Sequence, residues 1–341
     1  MKNKIFVAGN IIVDRLYPIA GYPERGQLTT ILDGIGQSVG GAVCNVGIDL
    51  KKLMPDTEIC ALGLVGEDEG GDFALSVMSG AGVNVSHVKR EGATAFTAVM
   101  SDVNSRERTF FTYCGANAVF SEDSFSWDEV DADILHVAYI LLLAALDAED
   151  GEYGTKLARL LCHAKERGIR TSVDVVSETG ERFSRLVPPA LRYTDLCVIN
   201  EIEAGRTVGM ELRGEDGSLL TDRIKPCLRA LFDLGVGEWA VIHCPEGGFG
   251  MDKAGNFAAC GQIPTPPGYI KGKVGAGDAF CAGVLAAAHR GMSLAEAVRL
   301  GNAAATVSLN APGATEAMKT AEECLAAADL FGEGTLPEIP D

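Results

Sequence analysis

Gly275-Ala276-Gly277-Asp278-Ala279-Phe280 runs into an apolar stretch without proline, and Ala279 to Ala288 reads as a helix. The small-residue turn therefore feeds a helix N-terminus. The first backbone N–H groups of such a helix have no partner within it, and they sit at the positive end of its dipole. Gly275 and Gly277 carry no Cβ, so an anion can come close to the backbone. Asp278 adds a carboxylate, which can accept a proton. The amides of Gly275, Ala276, Gly277 and Asp278 thus read as an anion hole with a base beside it. Taken alone, the same residues also suit a plain tight turn with a first-turn aspartate.

The surrounding chain alternates between strand and helix patterns. Downstream, Ser293-Leu294-Ala295-Glu296 is a capping box for a helix reaching about Asn310. Thr320 to Leu330 is a further short helix. Upstream, Ile134–Tyr139, Thr171–Val176, Leu196–Asn200 and Glu238–His243 read as strands, with helices over Glu152–Arg167 and residues 222–234. Nearer the N-terminus come strands at Ile5–Ala8 and Glu58–Gly66, and helices at Val46–Lys52 and Gly70–Gly80. This alternation predicts an α/β fold, a parallel sheet covered on both faces.

Two regions break the pattern. Residues 11–35 are punctuated by Pro18, Gly21, Pro23, Gly26 and Gly34 and read as extended segments and turns. Residues 91–118 hold a hairpin of Ala95–Met100 and Arg108–Tyr113 around a polar turn. Together they predict a small separate sheet. The expected organisation is a core from 1–10, 36–90 and 119–330, a small β unit from 11–35 and 91–118, and a frayed tail from 331–341.

The 341 residues are 47% hydrophobic and 22% charged, with a net charge of −18. So acidic a surface argues against nucleic acid or an anionic membrane as partner. An anionic ligand would need a local island of positive potential. The ten cysteines are scattered through apolar runs with no CxxC pair, as expected of core residues in a reducing cytoplasm. No apolar run has membrane-spanning length. No GxxxxGK[ST] or HExxH motif is present, and no GxGxxG follows a strand. The histidines 87, 136, 163, 243 and 289 have no metal-ligand spacing, although His136 and His243 lie in or at the ends of strands.

The remaining candidates sit near strand ends, where loops of a doubly wound sheet converge on one crevice. Asp14 follows the first strand. Gly40-Gly41 precedes a helix with Asn45 in its first turn. Asn200 and Glu203 are one helical turn apart, and an amide with a carboxylate suits a magnesium ion that keeps most of its waters. The same pair also reads as a helix N-cap with its capping-box partner. An anion hole, a base and a divalent ion together suit phosphoryl transfer to a hydroxyl.

In this order the motifs resemble the PfkB/ribokinase family of carbohydrate kinases over nearly the whole chain. Gly40-Gly41-x-x-x-Asn45 is similar to the family's first signature and Gly275-Ala276-Gly277-Asp278 to its second. Asn200-x-x-Glu203 is similar to its magnesium and phosphate motif. Arg106 to Tyr113, followed by Gly115-Ala116-Asn117, resembles its lid hairpin, and Asn302-Ala303-Ala304-Ala305 the helix beside the adenine.

The resemblance implies a ribokinase-like three-layer αβα core, its sheet mostly parallel, with a small β-sheet lid. It implies Asp278 as general base and the Gly275–Asp278 amides as anion hole. Asp14, Gly40, Gly41, Asn45 and Arg108 would hold the acceptor, and Asn200, Glu203 and Asn302 would hold ATP. Glu203 and Asn200 would reach Mg²⁺ through water. The expected substrate is a monosaccharide with a hydroxymethyl group. Nucleosides, vitamin-precursor alcohols and a catalytically silent regulator remain alternatives. The lid makes a homodimer plausible.

Two departures from the family pattern stand out. Gly272-Lys273-Val274 replaces the Asp-Thr often found before the second signature, which puts monovalent-cation activation in doubt. Lys273 is then either a source of positive charge near the phosphates or an exposed loop lysine. Pro245 replaces a frequent glycine near the nucleotide.

Overall fold

Ile5 and Val7 lie in one buried apolar cluster, Phe6 and Ala8 in another. A strand whose alternate residues enter two cores runs through the middle of a sheet covered on both faces. The computed structural model describes residues 2–105, 107–177, 180 and 182–340. Arg106, the start of the hairpin motif, lies outside them.

In chain order the strands are β1 (Lys4–Gly9), β2 (Ile12–Ile19), β3 (Gly36–Gly40), β4 (Glu58–Val65), β5 (Val88–Arg90), β6 (Ala95–Asp102), β7 (Arg108–Tyr113), β8 (Ile134–Ile140), the short pair β9 (Glu149–Asp150) and β10 (Gly154–Thr155), β11 (Arg170–Val175), β12 (Leu196–Asn200), β13 (Trp239–Cys244), β14 (Gly247–Asp252) and β15 (Phe257–Gly261). The helices are α1 (Ala42–Leu53), α2 (Glu69–Gly80), α3 (Lys156–Glu166), α4 (Phe183–Leu191), α5 (Glu201–Val208), α6 (Ile224–Asp233), α7 (Ala276–His289), α8 (Leu294–Ser308) and α9 (Ala321–Phe331).

The main sheet runs β15-β14-β13-β12-β11-β8-β1-β4-β5 and is parallel except for the antiparallel edge strands β14 and β15. One face is covered by α1, α2, α7, α8 and α9, the other by α3 to α6. This is the three-layer α/β architecture.

A second sheet runs β3-β2-β6-β7. The predicted hairpin is its β6–β7 half. The sequence assigns residues 36–90 to the core, whereas Gly36–Gly40 pairs with Ile12–Leu16 in the small sheet. Without that partner, one edge of β2 would leave its N–H and C=O groups unpaired.

Three further differences have local causes. Gly247, Gly248 and Gly250 hide β14 from a strand pattern, because glycine supplies no side chain to alternate. Pro188 and Pro189 lie inside α4, where proline normally argues against helix. The tail is not simply frayed. Thr335 bridges Gln262, and Ile339 packs on the second core cluster.

The helix bearing the opening motif is fixed against its neighbour by two glycines. A Cβ on Gly283 would lie 2.7 Å from Gly301 Cα and 2.8 Å from Leu300 O. Backbone cannot yield as a flexible side chain can. Gly283→Val is therefore expected to destabilise the protein by about 1–3 kcal/mol in denaturant unfolding. Gly80→Ala is the control, since a Cβ there meets open space, and it should be neutral or stabilising.

Candidate active site

Gly275 caps α7 in the left-handed conformation, φ 77°, and offers no side-chain cap. A Cβ there would also meet Ala314 Cβ at 2.5 Å. Gly275 O accepts from Ala279 N at 2.8 Å, so the turn closes directly into the helix. The amides of Gly277 and Asp278 lie in the first turn, where the helix itself supplies no acceptor. By contrast, Ser293 and Thr320 cap α8 and α9 with side chains. Gly275 to Asp278 line a crevice together with Tyr139, Asp174, Asn200, Glu203 and Lys273.

Asp278 is buried, and both its oxygens are engaged. Tyr139 Oη donates to Oδ1 at 2.5 Å and Asn45 Nδ2 to Oδ2 at 2.9 Å. Burial raises its pKa above the ordinary value, and those two bonds pull the other way. The structure thus joins Asn45 of the first glycine motif to Asp278 of the second, 233 residues apart.

The glycines of the first motif have structural reasons to be glycine. A Cβ on Gly40 would lie 2.4 Å from Asp14 Oδ2, and one on Gly41 would lie 2.4 Å from Asn10 O. Gly41 also has φ 81°. Gly40 makes room for the Asp14 carboxylate, which burial pushes up in pKa and a Thr97 bond pulls down. Strand register sets Ser38, Asp14, Thr97 and Thr112 in one row across the small sheet.

Arg108 is not brought to that row. It pairs with Ser101, four residues beyond Thr97, which is about 13 Å along the strand. It is exposed.

Asn200 and Glu203 do form the capping box. Asn200 Oδ1 accepts from Glu203 N, and Glu203 Oε2 from Asn200 N, both at 2.9 Å. Glu203 Oε1 accepts from Ser177 Oγ at 2.8 Å. The pair also lines the crevice, so the capping role leaves it placed at the candidate site. Burial pushes Glu203 up to about 7. Asp174 is raised too, first by burial and then by Glu203 and Asp278.

Among the described residues, no three His, Cys, Asp or Glu side chains form a metal cage. One carboxylate and one amide at a crevice already rich in negative charge are hard oxygen donors. They fit a Mg²⁺ ion held through its own waters.

A second crevice, of about 400 Å³, adjoins the first and shares Asn200, His243, Lys273, Ala276 and Gly277 with it. Its far end is apolar, with Ile263, Ile270, Ala305 and Leu309. Asn302 lines it while donating to Cys260 O at 2.7 Å and Gly261 O at 3.0 Å, which ties α8 to β15. Half-buried His243 is pushed down to about 4 by desolvation and packs on Phe280. Buried His136, pushed down to about 3, meets Ser172 Oγ at 3.0 Å. Neither is charged near neutral pH.

An apolar slot thus opens onto the uncapped N-terminus of α7 and a buried carboxylate. The model of the pfkB family of carbohydrate kinases matches residues 2–321. The chain belongs to that family. It is therefore a kinase, a phosphotransferase. Adenosine kinase of Dictyostelium discoideum is 24% identical over 90% of this chain and 88% of its own length. The 5-dehydro-2-deoxygluconokinase of Shouchella clausii is 25% identical, with 84% of each chain covered. Among solved structures, Arabidopsis thaliana ribokinase complexed with ribose and ATP superposes with a TM-score of 0.75 at 20% identity, covering 95% of this chain and 98% of that one. The last likeness bears on the fold, which is ribokinase-like. Among the described residues, no helix is long and apolar enough to cross a membrane.

Sequence reasoning missed Tyr139, Asp174 and Ser177. Each lies in or just after the last residues of a strand predicted from the sequence. The rule that ligands gather at the carboxyl ends of parallel strands, applied to β8 and β11 as it was to β12, points to them.

Proposed function

We propose that this kinase transfers the terminal phosphoryl group of ATP to a hydroxymethyl group of a monosaccharide. The observation that carries the reading is Asp278, a buried carboxylate at the uncapped N-terminus of α7, where the apolar slot meets the carboxylate-lined crevice.

Asp278 takes the proton from the attacking hydroxyl. The amides of Gly275 to Asp278 stabilise charge on the transferring group. Asn302 and the apolar slot hold the nucleobase end, while Lys273 and Asn200 lie toward the phosphates. When bound, Mg²⁺ supplies charge neutralisation at the phosphates, and Glu203 with Asn200 would hold it through water. Asp14 and Asn45 hold acceptor hydroxyls, with Gly40 and Gly41 shaping that wall.

The row Ser38–Asp14–Thr97–Thr112 favours a polyhydroxylated acceptor over a nucleoside, whose base would need an apolar or aromatic wall. The small sheet is also where two copies would pair. Phe110 and Phe111 of β7 are 62% and 57% exposed beside its unpaired edge. Ten free thiols suit a reducing cytoplasm.

The test is ATP-dependent phosphorylation across a panel of sugars, sugar acids and nucleosides, with Asp278→Asn as control. A monosaccharide or sugar acid is expected to give the highest kcat/KM. Preference for a nucleoside would overturn the sugar assignment. ATP binding without turnover of any acceptor would overturn the catalytic one.

A further inference from the structure

Tyr139 is held before any ligand arrives. Its backbone N donates to Asn10 Oδ1 at 3.2 Å, and Asn10 Nδ2 donates to Leu142 O at 3.2 Å. Asn10 N donates to Ala138 O at 3.2 Å, a close approach that Gly9 permits, since a Cβ there would lie 1.8 Å from the same oxygen. The phenol then reaches across the sheet end to Asp278 Oδ1 while Asn45 holds Oδ2. A carboxylate presents about four lone-pair directions, so two bonds leave two open.

We propose that Tyr139 is a positioning residue for the phosphoryl-transfer base: its phenol and the Asn45 amide clamp the Asp278 carboxylate from two sides and turn its remaining lone pairs toward the acceptor hydroxyl. This rests on the reading of Asp278 as the base. The phenol works by geometry and by favouring the ionised carboxylate. Burial and the neighbouring carboxylates keep the phenol itself neutral.

Several other groups share the environment. Cys44 and Asp49 of α1, Asp174 of β11 and Cys281 of α7 interact electrostatically with Asp278. Glu203 of α5, His243 of β13 and Lys273 line the same crevice. All of them are retained in Tyr139→Phe, so a comparison with the wild type reads the phenol alone.

The sign of the pH effect follows from the bond. A donor to the ionised form lowers the carboxyl pKa, and losing it raises that pKa. Tyr139→Phe is therefore expected to move the acidic limb of the kcat/KM profile to higher pH. It should also lower kcat by about 10–100-fold, the scale of a misaligned reacting group. KM for ATP and acceptor, and the melting temperature, should stay near wild type.

A raised acceptor KM with unchanged kcat and limb would make Tyr139 a substrate contact and overturn the proposal. So would an equal loss at every pH with a lower melting temperature, or no change at all. A second readout needs no turnover. In protein labelled with ¹³C at the aspartate carboxyl carbons, the Asp278 signal, identified by its loss in Asp278→Asn, should titrate at higher pH in Tyr139→Phe. An unshifted titration overturns the clamp. An inactive wild type with a shifted titration overturns only the kinase reading of the site.

Discussion

Asp278→Asn should lower the rate of phosphoryl transfer by about 10²–10⁴-fold, the usual contribution of a general base, while the protein still folds and binds nucleotide. The substitution is nearly isosteric, so packing at this buried position is kept. Its hydrogen bonds can be kept as well. The new amide oxygen still accepts from Tyr139. The new amide nitrogen would face Asn45 Nδ2, donor against donor, but among the described residues Asn45 Oδ1 is buried without a partner. A flip of the Asn45 amide turns that orphaned acceptor toward the new donor and removes the conflict. Single-turnover kinetics, nucleotide-binding calorimetry and melting temperature separate the outcomes. A loss of threefold or less would place the base elsewhere, with Asp174 and Glu203 the next carboxylates in the crevice.

The second large effect is expected at Lys273. Among the described residues it is the one cationic side chain lining either crevice, which Asp174, Glu201, Glu203 and Asp278 also line. A tri- or tetra-anionic ligand entering so acidic a site needs a counter-charge. The loop that carries Lys273 is anchored. Lys271 N donates to Leu309 O at 2.8 Å, and a Cβ on Gly272 would lie 2.6 Å from Ala311 O. Lys273→Ala is expected to weaken ATP binding or its use by roughly 10–100-fold, the worth of one charge-assisted hydrogen bond. The wild type should need no added potassium. Titrating KCl into a sodium- and potassium-free assay tests this directly. Strong activation of the wild type by potassium would show that the lysine does not stand in for a bound cation.

The fold was legible wherever a residue's local pattern reports its tertiary role. Ile5 to Ala8 reads as a strand because a parallel strand buried on both faces is apolar throughout. Ser293 and Glu296 announce their helix because a capping box is local chemistry. The Asp278 turn falls in the same class, since an uncapped glycine turn before a small-residue helix is visible in one dimension. Tyr139 and Asp174 were not legible in this way. Each is one more residue at the end of a strand, and only strand order brings β8, β11 and α7 to one point. Arg108 shows the opposite failure. Its motif was recognisable, but register along β6 and β7 places it four residues from the row that Asp14 occupies. Register depends on which strands pair, and a single hairpin sequence does not encode that.

The contact between Gly283 and Gly301 sets a length standard inside the protein. The Gly275–Asp278 turn opens one helix and Asn302 sits on the next, and at Gly283 the two helices meet backbone to backbone, with no side chain between them at that point. On the proposed reading, in which that turn and Asn302 hold the two ends of the donor, the span between them would be a constant of the chassis, unaffected by drift at exposed positions. A shift in donor preference would have to come from the rim of the slot, at residues such as Pro245 and Ile270. Directed-evolution libraries aimed at the donor belong there, and the helix pair is best left alone.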